Sequence, residues 1–170
     1  MPVKEIKKQV YQNFESGYHC AEVVAKTIID NFSTASCHEA VKASSCFGGV
    51  IAGTTEDLCG AFTGGVIALG VLVGRENPGE AMTEGAELVK EYKAWFLEQF
   101  GSTNCQTLLE GFYDKEGMIE CVKLTADATA FLAKLLNAFE KKKEIDMDAF
   151  CNQPRESVAL GTCPFSGCSC

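Results

Sequence analysis

The chain has 170 residues, of which 46% are hydrophobic and 22% charged, as expected for one soluble globular domain that buries its own core. Its formal net charge of -8 and pI near 4.8 argue against nucleic acid as a partner, because phosphate binding requires clustered Lys and Arg. Charges run through the N-terminal stretch, where a secretory signal needs an apolar run, so a cytoplasmic location is expected. Thiols there are normally reduced and free to bind metal or react.

The predicted elements are all helical. An apolar stripe with helical spacing predicts one long helix over residues 3–32, in which Gly17 produces a bend or admits a neighbouring backbone. A short helical segment over 36–53 ends in a glycine-rich stretch. Residues 58–74 carry no charge and predict a central buried helix rather than a membrane span, with Asp57 as its N-cap.

Two more helices are predicted over residues 79–100 and 115–142, with a short element at 104–109 between them and Gly101 as a C-cap. Because no alternating β-branched run is present, the predicted fold is an all-α bundle of five or six helices. The glycine pairs within 58–74 let helices pack at close range, so a homodimer formed through such helices is one open alternative.

The composition changes after Lys143. Residues 1–143 are predicted to form a helical redox or metal-binding domain, and 144–170 an irregular cysteine-rich tail. The tail thiols are candidate ligands of a second metal centre, although their spacing matches no standard motif: Cys151, Cys163, Cys168 and Cys170.

The chain's ten cysteines, with only two histidines and no CxxC pair, indicate redox or metal chemistry, because a core of this size does not need disulfides as staples. Cys59 is predicted in the first turn of its helix, where the helix dipole and unsatisfied N–H groups stabilise a thiolate. Cys105 occupies the same position at the start of the next short element. Both are therefore expected to be reactive thiolates.

Residues 59–64 read CGAFTG, which resembles the CGAxxG motif of the C_GCAxxG_C_C family of redox-active proteins. Cys20, in the sequence HCAE, is similar to the family's first cysteine, Cys105 to its third and Cys121 to its fourth. The resemblance covers about residues 5–135. The family is similar to part of the split-Soret cytochromes, which carry an iron–sulfur cluster.

This resemblance implies that Cys20, Cys59, Cys105 and Cys121 could ligate a [2Fe–2S] or [4Fe–4S] cluster. Four thiolates equally suit a tetrahedral zinc ion. The CxxCH signature of attached haem is absent from the sequence, so haem is not expected. Cys37 and Cys46 are additional to the family's four cysteines, and Cys46 is a candidate to replace or supplement a ligand.

Other polar residues are expected to be structural. His19 and His38 are interpreted as surface histidines rather than partners of a nucleophilic cysteine. The glutamates of the helix predicted over 79–100 are interpreted as its solvated face: Glu84, Glu87, Glu91 and Glu98.

The leading hypothesis is an iron–sulfur electron-transfer protein that docks a redox partner through its acidic surface. One rival is a thiol–disulfide oxidoreductase in which Cys59 attacks and Cys20, Cys105 or Cys121 resolves the mixed disulfide. The other is a zinc or metal-binding module. Whether the protein is an enzyme stays open at this point.

Overall fold

The computed structural model describes residues 2–35, 37–112 and 117–140. Within these ranges the chain forms seven α-helices and no strand longer than an isolated bridge. The all-α prediction is therefore confirmed, with seven helices rather than five or six: α1 (Val3–Glu15), α2 (Cys20–Phe32), α3 (His38–Ser44), α4 (Gly60–Val73), α5 (Thr83–Phe100), α6 (Cys105–Gly111) and α7 (Gly117–Glu140).

The prediction of one long helix over residues 3–32 is wrong, because a turn separates α1 from α2. Gly17 has a φ of +92°, a left-handed conformation that glycine adopts at little cost. The Glu22 carboxylate accepts a hydrogen bond from the His19 backbone N–H at 3.0 Å, as in half of a capping box. This contact starts α2 directly at Cys20.

The other predicted boundaries shift locally. The segment expected over 36–53 divides into α3 and two 3₁₀ turns, Ser45–Phe47 and Ile51–Gly53. Asp57 is not the N-cap of α4; Cys59 takes that position. Gly101 caps α5 with a φ of +77°, as predicted.

Helix α2 lies at the centre of the molecule and packs most extensively against α4, with α1, α3 and α7 around it. A Cβ atom at Gly64 would lie only 2.2 Å from the Ala21 carbonyl oxygen, so the two backbones meet with no room for a side chain. Helix α4 is thus a buried helix of the bundle. No helix among the described residues is both long and apolar enough to span a membrane.

An aromatic cluster fills the space between α4, α5 and α7. The Tyr92 ring stacks on Phe62 with centroids 5.4 Å apart, and Phe96 packs edge-on against both rings. Trp95 stacks on Phe131 of α7 at 4.2 Å. The cluster packs α5 against the N-terminal half of α4, the helix that Cys59 caps.

Candidate functional site

Two of the predicted site cysteines are held side by side by backbone hydrogen bonds. Leu58 and Asn104 form an antiparallel bridge, in which the Cys59 N–H donates to the Thr103 carbonyl at 2.7 Å. The Cys105 N–H donates in return to the Asp57 carbonyl at 2.8 Å. Cys59 and Cys105 therefore sit together at the starts of α4 and α6.

The Asn104 side chain reinforces this bridge. Its Oδ1 accepts from the Thr107 backbone N–H at 3.0 Å and so caps α6. Its Nδ2 donates to the Glu56 carbonyl at 2.6 Å. One side chain thus fixes both the start of α6 and the segment that leads into Cys59.

Cys20, the first residue of α2, lies against the start of α4. A Cβ atom at Gly60 would be 2.4 Å from the Cys20 sulfur and 2.8 Å from the Phe47 carbonyl oxygen. Glycine at this position therefore lets the Cys20 thiol and the 3₁₀ turn at Ser45–Phe47 approach the α4 backbone. Three cysteines then lie at three helix N-termini, each the positive end of a helix dipole.

Cys121 lies in the second turn of α7, and the Thr125 hydroxyl donates to its carbonyl oxygen at 2.8 Å. Electrostatic interactions with Cys20 and Cys105 raise the pKa of the Cys121 thiol. Cys121 in turn raises the pKa of Cys59. Cys20 likewise contributes to raising the pKa of Cys105. The structure thus brings all four predicted ligands within electrostatic range of one another, from four different helix segments.

Burial dominates the chemistry of these thiols. It raises the pKa of Cys59 to about 12, assisted by the nearby Cys20 and opposed by hydrogen bonds from the Ala61 and Phe62 N–H groups. Burial, then Cys20 and Cys105, raises the pKa of Cys121 to about 12. Burial and then Cys20 also raise the pKa of Cys105. The expectation that Cys59 and Cys105 are ready thiolates is therefore wrong: desolvation outweighs the helix termini.

Tyr92 is a polar residue of the site that sequence reasoning missed. It is fully buried, and its hydroxyl donates to the Ala61 carbonyl at 2.9 Å. Burial, and secondarily Cys59, raises its pKa well above the usual value, so the hydroxyl keeps its proton. In the sequence, Tyr92 is only an aromatic position in the apolar stripe of α5. Nothing in the sequence indicates that its hydroxyl meets the Ala61 carbonyl.

The remaining thiols are placed differently. Cys46 is exposed on the first 3₁₀ turn, and the prediction that it supplements a ligand stays untested. Cys37 is not a free thiol as expected, because it is disulfide-bonded. The four tail cysteines and the domain boundary at 143 lie outside the described residues.

The polar residues interpreted as structural are exposed. His19 and His38 are surface residues, and so are the four glutamates of α5. In the described part of the chain, no three Cys, His, Asp or Glu side chains are placed to hold one metal ion. The four thiols are neighbours but are not arranged as a closed set of ligands.

No curated protein and no solved structure matches this chain. A family model does match it, over residues 18–135, which is more than half of its length. The matched region includes Cys20, Cys59, Cys105 and Cys121, the four thiols that the fold brings together. The chain belongs to the family described as "Putative redox-active protein (C_GCAxxG_C_C)".

Proposed function

We propose that this redox-active protein binds an iron–sulfur cluster through Cys20, Cys59, Cys105 and Cys121 and uses it to transfer electrons. The observation that carries the proposal is the placement of four free thiols from four separate helix segments: the Leu58–Asn104 bridge sets Cys59 beside Cys105, and the Cys20 sulfur lies against Gly60. The interaction of Cys121 with Cys20 and Cys105 supports its place beside them. Four convergent thiols are the usual ligand set of a [2Fe–2S] or [4Fe–4S] cluster.

The chemistry of the donor set fits such a cluster, although the thiols are not yet arranged to ligate one ion. Neighbouring thiolates repel one another, and burial disfavours the charged forms of Cys59, Cys105 and Cys121. The chain alone therefore keeps Cys59 and Cys121 protonated. A bound cation removes both penalties, and ligand binding then releases protons. Closing the site is therefore expected to require metal.

The surroundings of the thiols suit a sulfur-rich, negatively charged group. Cys20, Cys59 and Cys105 stand at helix N-termini, whose partial positive charge favours anions. The Ala61 and Phe62 N–H groups act to lower the pKa of Cys59. When bound, a cluster would supply one-electron chemistry that the side chains lack, and the protein would tune it by hydrogen bonding and burial.

The thiol–disulfide alternative is less well supported by this geometry. A nucleophilic cysteine needs a lowered pKa and access to its substrate. Cys59 is only 3% exposed, and burial raises its pKa to about 12. A zinc ion would use the same four thiols. Metal analysis therefore distinguishes a zinc-binding module from an iron–sulfur protein.

The surface beside the thiols fits a basic redox partner. Glu56 and Asp57, just before Cys59, and Glu110 on α6 are exposed, and the sequence has no Lys or Arg between Lys42 and Arg75. Leu58, next to Cys59, is 48% exposed, and Met118, three residues before Cys121, is 77% exposed, so apolar side chains are also open to a partner here. Association through this surface should slow as ionic strength rises.

The deciding experiment is anaerobic purification of the full chain followed by measurement of iron, acid-labile sulfide and zinc. We expect iron and sulfide in matching amounts together with visible absorption. The four variants Cys20→Ser, Cys59→Ser, Cys105→Ser and Cys121→Ser should each lose the cluster. Cys46→Ser is the matched control and should retain it, because Cys46 is exposed and outside the set of interacting thiols.

Retention of a full cluster by three of the four ligand variants would refute the ligand set. Zinc without iron would instead establish a metal-binding module. Metal-free protein with all four thiols reactive would favour disulfide chemistry.

A further inference from the structure

We propose that a groove between α1, α5 and α7 binds a small planar aromatic anion. The groove has a volume of about 340 Å³, which lies within the range of about 300–1,000 Å³ that is usual for small-molecule sites. It is lined by residues outside the cysteine site, so the inference does not depend on the proposed function.

Aromatic side chains form one wall of the groove. Trp95 and Phe100 of α5 and Phe131 of α7 line it, and each of the three is only partly buried. Trp95 lies parallel to Phe131 with ring centroids 4.2 Å apart, and Phe100 meets Trp95 edge-on at 5.6 Å. Partly open rings in a concave site favour a flat ligand that can stack on a face or meet an edge.

These rings are the outer end of an aromatic series that begins in the core. Phe62, in the first turn of α4, stacks on Tyr92, and Tyr92 stacks on Phe131 with centroids 6.5 Å apart. From Phe62 to Trp95, the planes of successive rings differ by 15°, 16° and 4°. The core therefore fixes the orientation of the outer rings, and a surface that is already ordered loses little entropy when a ligand binds.

Charged side chains in the groove decide the sign of the ligand. Lys7 of α1 and Lys134 of α7 line the groove together with the carboxylate of Asp127. Two lysines against one aspartate give the described lining residues a net charge of +1, whereas the whole chain carries -8. The groove is thus locally positive in an acidic protein and favours a ligand with an acidic group.

Two substitutions should change the affinity in opposite directions. Lys134→Ala removes a positive charge and should weaken binding roughly 2–5-fold, the size of an exposed ion pair. Asp127→Asn removes the carboxylate that pairs with Lys7, so Lys7 can turn to the acidic group of the ligand and binding should strengthen by a similar factor. The Asp127 side chain is 46% exposed and Lys134 is exposed as well, so both variants should fold.

The flat face is tested separately from the charge. Trp95→Leu keeps an apolar side chain at this position and removes the ring, so binding should weaken roughly 2–10-fold, as expected for a lost aromatic pair. Lys93→Ala is the matched control for Lys134→Ala. It removes one exposed lysine from the helix that carries Trp95, but Lys93 does not line the groove, and the affinity should not change.

The experiment titrates naphthalene-2-sulfonate into the metal-free full chain, with isothermal titration calorimetry for the affinity and NMR for the location. We expect saturable one-to-one binding and a shift of the Trp95 indole N–H resonance, which is a single signal because the chain has one tryptophan. Cyclohexanesulfonate has the charge without the planar ring, and 2-naphthalenemethanol has the ring without the charge. Both should bind more weakly.

Absence of saturable binding, or binding that leaves the Trp95 indole signal unmoved, would overturn the proposal. Equal affinities for naphthalene-2-sulfonate and cyclohexanesulfonate would contradict recognition of a planar ring. An Asp127→Asn variant that binds no more tightly would contradict recognition of an anion. Because every titration uses metal-free protein, these outcomes are distinguishable from failure of the iron–sulfur proposal.

Discussion

Leu58 and Asn104 pair in an isolated antiparallel bridge, and this pairing sets Cys59 beside Cys105. The two cysteines are far apart in the sequence and belong to different helices. Their proximity therefore depends on a few backbone hydrogen bonds and on the Asn104 side chain. These contacts are the first target for testing the site.

Asn104→Ala should lower the free energy of unfolding by about 1–2 kcal/mol, because it removes the cap of α6 and the bond to the Glu56 carbonyl. Asn104→Asp keeps the acceptor that caps the helix and loses only the amide donor, so its loss should be smaller. Urea denaturation of the metal-free protein measures both. Gln106→Ala, on the exposed side of α6, is the control and should stay within about 0.5 kcal/mol. Equal stability of Asn104→Ala and the unchanged protein would contradict this role.

The close contact between α2 and α4 predicts opposite effects for two glycines of the same helix. Gly64→Ala would place a Cβ atom 2.2 Å from the Ala21 carbonyl, which forces the backbones apart and should cost about 1–3 kcal/mol. Gly70→Ala meets nothing within 4 Å and should stabilise the protein by about 0.5–1 kcal/mol, since alanine favours a helix.

Thermal or urea unfolding of these two variants provides the comparison. Because both substitutions add the same methyl group to α4, the difference in sign isolates the helix contact. Stabilisation by Gly64→Ala would show that α2 and α4 lie further apart than the contact between Gly64 and the Ala21 carbonyl implies.

Much of the helical fold could be predicted from the sequence, because apolar periodicity is a local signal. The break at Gly17 was missed since the apolar spacing continues across it, from Val10 and Phe14 to Tyr18 and Ala21. The bridge at Leu58 leaves no trace in the sequence, because one pair of residues has no strand pattern. Such tertiary contacts decide where helices start.

The four site cysteines could be chosen from the sequence, but their protonation could not. A helix N-terminus is visible as a local pattern and predicts a thiolate at Cys59. The burial of Cys59 depends on the packing of α2, α5 and α7 around the end of α4. Desolvation then raises the pKa of Cys59 where the helix N-terminus alone predicts a lowered one. The hydroxyl of Tyr92 was invisible for the same reason.

The exposure of the thiols predicts an order of alkylation. In metal-free protein at neutral pH, Cys46 should react quickly with iodoacetamide because it is exposed. Cys59, with a pKa of about 12 instead of 9.0, holds on the order of 10³-fold less thiolate than an ordinary cysteine and should react far more slowly. Mass spectrometry resolves the sites, and Cys46→Ser should remove the fast phase alone. Equally fast labelling of Cys59 and Cys46 would disprove the burial of Cys59.

The raised pKa values also predict a loss of stability in alkali. Between pH 9.0 and about 12, Cys59 and Cys121 keep their protons in the folded state while the same thiols ionise in the unfolded chain. The unfolded state then binds fewer protons, so the free energy of unfolding falls as pH rises through this window, by up to about 1.4 kcal/mol per pH unit for each thiol. Well below pH 9.0 these two groups contribute no slope, because both states then keep the protons. Urea unfolding of reduced, metal-free protein should show a shallower decline in the double variant Cys59→Ala, Cys121→Ala. Cys46→Ala is the control and should retain the full decline, because Cys46 is exposed and lies outside the set of interacting thiols. An unchanged slope in the double variant would mean that these thiols are solvated in the folded protein, and the site would then be open to water before any metal binds.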